Sequence, residues 1–414
     1  MTTTINNEQK KLNVPNLRFP EFQGEWKTFT FDEIAQYKKG PFGSALKKDL
    51  FVPQSENAIK VYEQQNAIKK DWTLSRYYIT KDYFNAHMKQ FVAKAGDLIV
   101  SCAGTIGEVY ELPKDAEEGV FNQALMRVRV NNEVVNKEIF ITVFSSMIDK
   151  FSKIYSNGSA IKNIPPFADL KKTQVYLPCK EEQIVIAQLL RSLDERIATQ
   201  NKIIDKLQSL IKGIMVELQK QGVDRGTWKK LSLGDVLSER NERNTNLYQV
   251  FSVSVSQGIV NQVDYLGRSF AAKDTSKYNV VHYGDLVYTK SPTGSFPYGI
   301  VKQSLNIDNV AVSPLYGVYE PRSFAIGAYL HEYFMSEINT HNYLHPLIQK
   351  GAKNTINITN QRFLENRVTM PVNSNELLLI SKLLYSLNDK IKHVQNTLEE
   401  YHKQKQYLLR QMFI

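Results

Sequence analysis

The sequence predicts an α+β chain that contains one structural unit twice, each copy being a mixed α/β globular part followed by a long helix. Three observations lead to this fold class. Short motifs from the first half of the 414 residues return in the second half in the same order. Each half begins with short runs rich in Tyr, Phe, Val and Thr between turn residues, which is typical of strands. Each half ends with a stretch of apolar residues at heptad spacing, which is typical of a coiled-coil helix.

The internal duplication rests on four pairs of short motifs. The pairs are Gly24-Glu25-Trp26-Lys27 with Gly226-Thr227-Trp228-Lys229, Gly96-Asp97-Leu98-Ile99-Val100 with Gly284-Asp285-Leu286-Val287-Tyr288, Gly158-Ser159-Ala160 with Gly351-Ala352-Lys353, and Leu189-Leu190-Arg191-Ser192-Leu193 with Leu383-Leu384-Tyr385-Ser386-Leu387. The tryptophan motifs are 202 residues apart, the Gly-Asp motifs 188 and the leucine motifs 194. The motifs therefore persist while the segments between them differ in length, which favours one scaffold carrying two different variable regions. Simple divergence of two copies is the alternative that stays open.

Local patterns predict both strands and helices within the globular parts. Residues 128–130 and 286–289 are short β-branched and aromatic runs, which are predicted to be strands. Residues 139–151 and 326–343 carry apolar residues at helical spacing, and each stretch is predicted to be one helix. Each globular part is therefore expected to be a mixed α/β domain.

A heptad seam lies in the last part of each copy. The first seam consists of Leu193, Ile197, Gln200, Ile204, Leu207, Ile211, Ile214 and Leu218. The second consists of Leu387, Ile391, Val394, Leu398, Tyr401, Lys405, Leu408 and Met412. Each seam includes one polar residue, which helps to set register at some cost in stability. The first helix is predicted to end near Gly222, because glycine is common at helix C-termini.

Two matched heptad helices in one chain can pair with each other, and this is the arrangement that we favour. Pairing with a helix of another chain is the alternative. From Leu193 to Leu218 the seam runs for roughly 38 Å at about 1.5 Å per residue, which is close to the ~34 Å of one turn of DNA. A rod of that length is suited to hold two globular parts on successive stretches of one duplex.

Composition narrows the class of protein and of partner. Lys and Arg number 52 against 42 Asp and Glu, and the net charge of +10 favours a polyanionic partner such as nucleic acid. The two cysteines, Cys102 and Cys179, are too few for a four-cysteine zinc site or a disulfide scaffold. The first 17 residues lack the apolar core of a signal peptide, and no stretch approaches the ~20 apolar residues of a membrane span. The chain is therefore expected to be soluble and cytoplasmic.

Two variable α/β parts, each followed by a long helix with an LLxSLxxxI pattern, resemble the specificity (S) subunit of type I restriction–modification systems. Two further motifs are typical of that family. They are the opening Val14-Pro15-Asn16-Leu17-Arg18-Phe19-Pro20 with Gly24-Glu25-Trp26, and Gly96-Asp97-Leu98-Ile99-Val100-Ser101-Cys102-Ala103-Gly104-Thr105-Ile106-Gly107. The resemblance covers nearly the whole chain from about Val14, and the order and recurrence of the motifs make it specific. The second copy departs from the pattern, because a longer loop over residues 289–299 replaces the Gly-Thr-Ile-Gly turn.

The resemblance implies a function and a set of partners. Each globular part would be a target recognition domain that reads one half of a split DNA site, and the two helices would form an antiparallel coiled coil that sets the spacing. The chain would be a non-catalytic subunit that recruits two methyltransferase (modification) subunits, which restriction subunits (translocase and nuclease) then join. S-adenosylmethionine, ATP and Mg²⁺ would be bound by those partners and none of them by this chain. The implied parts are an N-terminal arm (1–16), a first recognition domain (17–178), a central helix (179–222), a second recognition domain (226–371) and a C-terminal helix (375–414).

Three kinds of segment are candidates for DNA contact, because they combine basic or small polar side chains with glycine. They are a basic loop near the start of the first copy, the turn after each Gly-Asp motif, and a glycine-containing segment before each long helix. The candidate residues are Lys38, Lys39, Ser44, Lys47, Lys48, Ser101, Thr105, Ser159, Lys162, Asn163, Thr289, Lys290, Ser291, Thr293, Ser295, Tyr298, Lys353 and Asn354. Arg240, Arg243 and Asn244 are weaker candidates in the second copy. An ordinary solvated surface loop is the alternative for each segment.

An enzyme and a scaffold are the competing functions. Residues 163–167 resemble the Asn-Pro-Pro-Phe motif with which adenine methyltransferases hold a flipped base, but Ile164 interrupts the motif and no glycine-rich S-adenosylmethionine turn is present. His341 and His345 have i, i+4 spacing but lack the glutamate of a metalloprotease motif, and no Walker loop occurs. A coiled-coil scaffold with incidental charge is the third possibility, and the two unlike globular parts argue against it.

Overall fold

A computed structural model of the chain describes residues 13–155, 166–350 and 356–414. The chain divides into two compact units, which we call unit 1 (up to Ile197, with Glu400–Ile414) and unit 2 (Ala198–Glu399). Each unit contains one globular part and a stretch of each long helix, so the predicted α+β fold class is confirmed. Among the described residues, no helix is long and apolar enough to cross a membrane.

Unit 1 begins with ten short strands and five helices in its described residues. The strands are β1 (Lys27–Thr30), β2 (Ala35–Lys39), β3 (Ala58–Tyr62), β4 (Tyr77–Thr80), β5 (Val92–Ala93), β6 (Leu98–Ser101), β7 (Val109–Glu111), β8 (Gly119–Phe121), β9 (Leu125–Val130) and β10 (Gln174–Leu177). The helices are α1 (Phe31–Ile34), α2 (Gln64–Ile68), α3 (Lys81–Tyr83), α4 (Lys137–Tyr155) and α5 (Phe167–Lys172). The first long helix, α6 (Lys180–Asp224), follows and ends in unit 2.

The centre of unit 1 is a four-stranded antiparallel sheet in the order β2-β9-β6-β7. Helix α4 contributes Phe140, Phe144 and Ile148 to the same core as Val100 and Val128 of this sheet. A second sheet has the order β4-β3-β8-β5, and β3 and β8 run parallel in it. Strands β1 and β10 pair antiparallel and bring the two ends of the globular part together before α6 begins.

Unit 2 has twelve strands and four shorter helices in its described residues. The strands are β11 (Trp228–Ser232), β12 (Leu237–Glu239), β13 (Phe251–Ser254), β14 (Gly258–Asn261), β15 (Asn279–Val281), β16 (Leu286–Tyr288), β17 (Val301–Gln303), β18 (Val310–Val312), β19 (Gly317–Pro321), β20 (Gln349–Lys350), β21 (Ile356–Asn357) and β22 (Arg367–Pro371). The helices are α7 (Gln262–Leu266), α8 (Phe324–Met335), α9 (Glu337–Leu344) and α10 (Asn360–Glu365). The second long helix, α11 (Ser374–Gln411), begins in unit 2.

The sheet at the centre of unit 2 repeats that of unit 1. Its order is β12-β19-β16-β17, and β11 and β22 pair antiparallel as β1 and β10 do. The other pairs, β13-β14, β15-β18 and β20-β21, are separate two-stranded sheets. The duplication detected in the sequence therefore corresponds to a shared central sheet and closing pair, around which the remaining strands differ.

The prediction of one helix over residues 326–343 is wrong, because α8 and α9 divide this stretch. Ser336 separates them with φ −80° and ψ 120°, which lies outside the helical region. Its side-chain oxygen accepts a hydrogen bond from the backbone N–H of Asn339 at 3.3 Å. A serine in this position starts a new helix because it satisfies an N–H group that would otherwise lack a partner. The other predicted helix, over residues 139–151, lies within α4.

The long helices α6 and α11 pair with each other within the chain. Every seam position is buried or half-buried, whereas most other positions along the paired stretches are exposed. In unit 2, Ile204 and Ile211 of α6 share one core with Ile391 of α11. In unit 1, Leu190 of α6 and Met412 beyond the end of α11 share another. The heptad prediction and the intramolecular pairing are therefore confirmed.

Two contacts in unit 1 give the direction of the helix pair. Lys405 Nζ lies 2.5 Å from Asp194 Oδ1. The guanidinium of Arg196 lies 5.9 Å from the ring centroid of Tyr401. A step forward along α6 is thus a step backward along α11, so the pair is antiparallel. The first contact also explains how a lysine is tolerated in the seam, since its charge is paired with a carboxylate.

Helix α6 does not have its C-cap at Gly222, as the sequence predicts, but continues past it. Gly226 adopts a left-handed φ of 70° and closes the helix. Its N–H donates to the C=O of Val223, and the N–H of Thr227 donates to the C=O of Gly222, which is the Schellman pattern. Gly222 is required for another reason, because a Cβ atom built there would lie 2.0 Å from Cδ1 of Trp228.

Candidate nucleic-acid interface

The Gly-Asp motif forms the same turn in both units and fixes the start of the strand that leads to a candidate loop. Gly96 and Gly284 have φ of 85° and 91°, a left-handed conformation that favours glycine. The carboxylate of Asp97 accepts a hydrogen bond from the backbone N–H three residues earlier at 3.1 Å, and that of Asp285 does the same at 2.8 Å. The motif therefore recurs in the sequence because both sheets need this backbone turn.

Each of these aspartates also holds an arginine, but the arginines come from different strands. Asp97 accepts two hydrogen bonds, at 2.7 and 3.0 Å, from Arg129 of β9. Asp285 accepts two, at 2.7 and 3.1 Å, from Arg240, which directly follows β12. These hydrogen bonds raise the pKa of both guanidinium groups above the ordinary arginine value. Because Arg240 is engaged within unit 2, we remove it from the candidates for DNA contact.

The candidate loops of unit 1 leave the same end of its central sheet. Lys39 ends β2 and lies opposite Met126, and Ser101 ends β6 and lies opposite Leu125. Both partners belong to the start of β9, the strand between β2 and β6. The basic loop and the turn over residues 101–107 therefore begin on either side of one strand.

Unit 2 repeats this arrangement. The N–H of Arg240, directly after β12, donates to the C=O of Val318 at 2.9 Å. Tyr288, at the end of β16, lies opposite Gly317. Gly317 and Val318 begin β19, so the segment after β12 and the loop after β16 leave the same end of the sheet.

Four of the five candidate residues of the basic loop are exposed. Lys39, Ser44, Lys47 and Lys48 extend into solvent. Lys38 is half-buried, its Nζ donates to the side-chain oxygen of Gln90 at 2.8 Å, and it lies 5.0 Å from the ring centroid of Phe91. Three lysines and a serine are thus free to meet a polyanion.

In the turn over residues 101–107, the structure separates a buried serine from an exposed threonine. Ser101 is fully buried, and its Oγ accepts a hydrogen bond from the N–H of Glu108 at 3.0 Å. Thr105 is exposed. Gln64, which the sequence reasoning missed, donates from its side chain to the C=O of Ala103 at 2.5 Å and so fixes the turn. As a correction, we leave Ser101 out of the candidate contacts and keep Thr105.

The loop after β16 in unit 2 is also partly internal. Thr289 is buried, and its Oγ1 accepts a hydrogen bond from the N–H of Ile300 at 3.1 Å, so it too leaves the candidates. Lys290 has a left-handed φ of 56° and is half-buried, and burial lowers the pKa of its ammonium group. Ser295 is exposed and donates to a carboxylate oxygen of Glu337 at 2.5 Å.

The same loop packs on helix α9. Ser291 is exposed, and its C=O accepts a hydrogen bond from Thr293 Oγ1 at 3.0 Å. The ring centroid of Tyr298 lies 5.3 Å from that of His341 and 5.9 Å from that of His345. The two imidazoles are exposed and stack at 5.1 Å. His341 on α9 and His345 directly after it therefore support the candidate loop together.

The other weaker candidates of unit 2 divide in the same way. Asn244 is fully buried and exchanges two hydrogen bonds, at 2.7 and 3.1 Å, with the backbone of Tyr248. It therefore supports the turn and is removed from the candidates. Arg243 is exposed and donates to the side-chain oxygen of Asn279 at 2.5 Å, so it stays a candidate.

Some predicted residues lie outside the described part of the chain. They are Ser159, Lys162, Asn163, Lys353 and Asn354. Residues 163–165 of the interrupted methyltransferase-like motif lie there too. Within the described residues, no three His, Cys, Asp or Glu side chains are grouped so as to hold a metal ion.

Comparison of the sequence with known proteins points to one family. Residues 23–209 match the family described as type I restriction modification DNA specificity domain. The chain is 22% identical over 233 residues to the type I restriction enzyme MjaVIII specificity subunit of Methanocaldococcus jannaschii. That alignment covers 55% of this chain and 49% of the relative, so it spans about half the length of that protein.

Comparison of the fold extends the likeness over nearly the whole chain. The crystal structure of the type I restriction–modification system S subunit from M. genitalium is similar with a TM-score of 0.58 at 14% identity, covering 97% of this chain and 99% of that one. A chain from a structure of complex assembly and conformational transition in the type I R-M system has a TM-score of 0.50 at 14% identity and covers 93% of this chain and 96% of its own length. This chain is therefore similar to type I restriction–modification specificity subunits, in sequence over residues 23–209 and in fold over nearly its whole length.

Proposed function

We propose that this chain is the non-catalytic DNA-recognition subunit of a type I restriction–modification complex, acting in the cytoplasm. Each globular part reads one half of a bipartite DNA site. The observation that supports this most directly is that both units send their candidate loops from the same end of an equivalent sheet, whereas the loops themselves differ. An equivalent scaffold with unlike loops suits two readers that approach DNA in one manner and recognise different sequences. Residues 17–178 and 226–371 are the proposed target recognition domains.

The exposed side chains of unit 1 divide into two roles. Lys39, Lys47 and Lys48 bind phosphates, because an ammonium group is a compact charge suited to the DNA backbone. Ser44 and Thr105 have short hydroxyl side chains that donate to and accept from base edges. Phosphate contacts of this kind make binding weaken steeply with salt.

Unit 2 reads its half with a longer loop. Ser291, Thr293 and Ser295 supply hydroxyl groups, and Tyr298 supplies an aromatic ring with a hydroxyl group. Lys290 supplies a charge at the base of the loop. Because the loop packs on α9, its side chains are held in place before DNA binds, which lowers the entropy lost on binding.

The coiled coil sets the spacing between the half-sites and docks two methyltransferase subunits. Helices α6 and α11 both carry apolar residues near their starts that the cores leave wholly or partly exposed. In α11, Leu378, Leu379 and Leu383 are exposed by 44, 67 and 44%. The equivalent residues of α6, Ile184, Val185 and Leu189, are exposed or half-buried. Apolar surface that recurs at equivalent positions suits two copies of one partner.

The partners supply the chemistry in this proposal. The methyltransferase subunits bind S-adenosylmethionine and modify adenine, and the restriction subunits bind ATP and Mg²⁺ and cleave. This chain binds none of these cofactors. Its own contribution is to choose the DNA site at which the partners act.

A methylation map tests the proposal. The chain is produced together with its methyltransferase subunit in a host without DNA methylation, and N6-methyladenine is mapped across the genome. We expect a split motif whose halves are separated by a fixed spacer of any sequence. An assembled complex that leaves no methylation pattern would refute the proposed recognition function.

A matched pair of variants extends this test. Thr105→Ala, in an exposed loop position, is expected to relax one half of the motif. Thr397→Ala, at an exposed position of α11, is expected to leave both halves unchanged. Thr105→Ala with an unaltered motif would remove this turn from the proposed interface.

A further inference from the structure

Phe42 is an aromatic side chain that the fold of unit 1 leaves almost wholly in solvent. Its side chain is 89% exposed. Between residues 18 and 178, leaving aside 153–165, it is the only large hydrophobic side chain that is exposed. An exposed phenylalanine forgoes the stabilisation that burial of its ring would give. A partner that covers the ring would recover it.

The backbone before Phe42 is fixed against the central sheet. Gly40 lies so close to the chain after β8 that a Cβ atom built on it would be 1.9 Å from the C=O oxygen of Asn122. The N–H of Gly40 donates to the C=O of Leu125 at 2.9 Å. Pro41, which follows, is buried and its ring restricts φ. The chain therefore reaches Phe42 along a rigid path.

The backbone after Phe42 is fixed as well. The N–H of Ala45 donates to the C=O of Phe42 at 2.9 Å, within a short 3₁₀ turn over Gly43–Ala45. The hydroxyl of Tyr83 donates to the C=O of Ala45 at 2.9 Å. Leu46 is buried in the core beneath the loop. Because both sides are held, the ring is presented on a rigid base.

The surroundings of Phe42 indicate the chemistry of its partner. Lys39, Ser44, Lys47 and Lys48 are all exposed in the same loop. An apolar ring among cationic and hydroxyl groups matches a partner with phosphates around a stack of aromatic bases. A protein partner would favour a contiguous apolar patch, and in the described part of this globular region Phe42 has no exposed apolar neighbour of comparable size.

We propose that Phe42 inserts its ring at a base step of the half-site that unit 1 reads. This inference rests on the proposed DNA-recognition function and adds a stacking contact to it. The lysines hold the phosphates on either side, and the ring partly unstacks the bases. Apolar side chains at DNA interfaces act in this way, and phenylalanine is among the residues that do so. The energy needed to unstack the step depends on its sequence, so the ring contributes to specificity without hydrogen bonds.

The test uses the complex of this chain with its methyltransferase subunit. The probe is a duplex carrying the motif found by methylation mapping, with 2-aminopurine placed in turn at each purine position of either half-site. Fluorescence of 2-aminopurine rises when its neighbours unstack. Leaving aside the adenine that the methyltransferase subunit flips in each half-site and the purines next to it, we expect one position in one half-site to brighten when the wild-type complex binds. For Phe42→Ala we expect that signal to disappear and Kd to rise about tenfold, the size of one lost base–aromatic stack.

Three variants make the result specific. Phe42→Trp keeps an aromatic ring and is expected to restore both the signal and the affinity. Tyr283→Ala removes a 52% exposed ring just before β16, at the opposite end of that strand from the candidate loop, and is expected to change neither. Lys47→Ala is expected to weaken binding and to lower the slope of log Kd against log salt, whereas Phe42→Ala leaves that slope unchanged because no phosphate contact is lost.

Each contrary outcome has a distinct meaning. If Phe42→Ala left fluorescence and Kd unchanged while the wild-type complex methylated its split motif, the proposed insertion of the Phe42 ring would be overturned. The recognition function would stay intact. Failure of Phe42→Ala to bind the methyltransferase subunit would assign the ring to a protein interface, and a lowered melting temperature would assign it to packing. Either result would overturn the proposed insertion of the ring. A wild-type complex without sequence preference would overturn both proposals.

Discussion

The two tryptophans of the repeated motif stand on the same turn but have different partners. Gly24 and Gly226 both adopt positive φ, 80° and 70°, and the tryptophan two residues later is buried in each unit. Trp228 lies over Gly222 at the end of α6 and donates from Nε1 to Glu376 at 2.7 Å. Trp228 therefore packs on the end of α6, the helix that directly precedes it in the chain.

Among residues 13–25 no helix precedes Trp26, and unit 1 closes in another way. Its ring meets that of Phe413 edge-on at 6.2 Å, so the end of the chain takes the place that the end of α6 has in unit 2. The residue equivalent to Glu376 is Glu182, which is buried and accepts two hydrogen bonds from Arg18 at 2.8 and 2.7 Å. The comparison teaches that the repeated motif preserves a backbone turn, while the partners of its side chains depend on the connection in each copy.

Exchange of a whole globular part is the strongest way to break the comparison. Under the proposed function, replacing residues 27–178 with the corresponding segment of a type I specificity subunit is expected to change one half of the methylated motif completely. The other half and the spacer are expected to persist, because unit 2 has its own sheet and its own loops. Mapping of N6-methyladenine measures this, and a change in both halves would show that the units do not read independently.

The arginine pairs of the Gly-Asp turns predict an unequal cost of the same substitution. Asp285→Asn is expected to lower the free energy of unfolding of unit 2 by about 2 to 3 kcal/mol, because a half-buried guanidinium loses the nearer of its two carboxylate partners and keeps only Glu320, at 3.2 Å. Asp97→Asn is expected to cost unit 1 less, about 1 to 2 kcal/mol, since Arg129 keeps 34% of its side chain exposed against 16% for Arg240. Asparagine preserves the oxygen that accepts from the turn, but its NH2 group replaces the other oxygen that faces the arginine, so the charge and one hydrogen bond are lost together in both variants.

Chemical denaturation, monitored by hydrogen exchange in peptides from each unit, would measure the loss of unfolding free energy in both variants. Equal losses would contradict the argument from exposure and would make the two pairs equivalent in spite of their different strands.

Two glycines of α6 form a matched pair for the packing of Trp228. Gly222→Ala places a Cβ atom on the indole ring and is expected to destabilise unit 2 by about 2 kcal/mol. Gly213 has open space where its Cβ would be, so Gly213→Ala is expected to stabilise the helix by about 0.5 to 1 kcal/mol. Thermal unfolding of the two variants measures the difference. A neutral Gly222→Ala would mean that the ring moves aside easily.

Acid is expected to weaken unit 2 selectively through His331. Burial, together with the charge of Lys302, lowers the pKa of His331 to about 3, and its Nδ1 accepts a hydrogen bond from the N–H of Gln303. Since the folded state binds the proton less readily than the unfolded state, stability is lost as the pH falls below the unfolded value of ~6.5. At pH 5 the loss is expected to be about 2 kcal/mol. The described histidines of unit 1, His87 and His402, are exposed.

The variant His331→Gln keeps a side-chain acceptor but has no titratable group. Hydrogen exchange at pH 7 and pH 5 is expected to show acid-induced opening of unit 2 in the wild type and none in the variant. The same opening in both proteins would assign the acid sensitivity to other groups.

Periodic and local features of this fold could be predicted from the sequence, and contacts between distant segments could not. The heptad positions from Leu193 to Met412 follow from spacing alone, since burial in a helix pair repeats with the sequence. The division at Ser336 was missed because its flanks continue the helical pattern and only the capping side chain marks the break. The burial of Ser101 and Thr289 was missed because each lies where a strand passes into a loop. The sequence alone does not show on which side of that boundary a polar residue falls.

Replacing each of the two tryptophans with phenylalanine is expected to give the smallest difference in stability. It is also the most direct test of how the two units close around this motif. Trp228→Phe removes a donor to the carboxylate of Glu376, whereas Nε1 of Trp26 is buried without a hydrogen-bond partner in the described part of the chain. Both substitutions remove the same ring volume, so the difference between their costs isolates the hydrogen bond. We expect Trp228→Phe to cost about 1 kcal/mol more than Trp26→Phe, because the released carboxylate is half-buried and regains water only in part. Equal costs in chemical denaturation would mean that the indole N–H of Trp228 contributes no more to stability than the unpaired one, and the two closures would then differ in geometry alone.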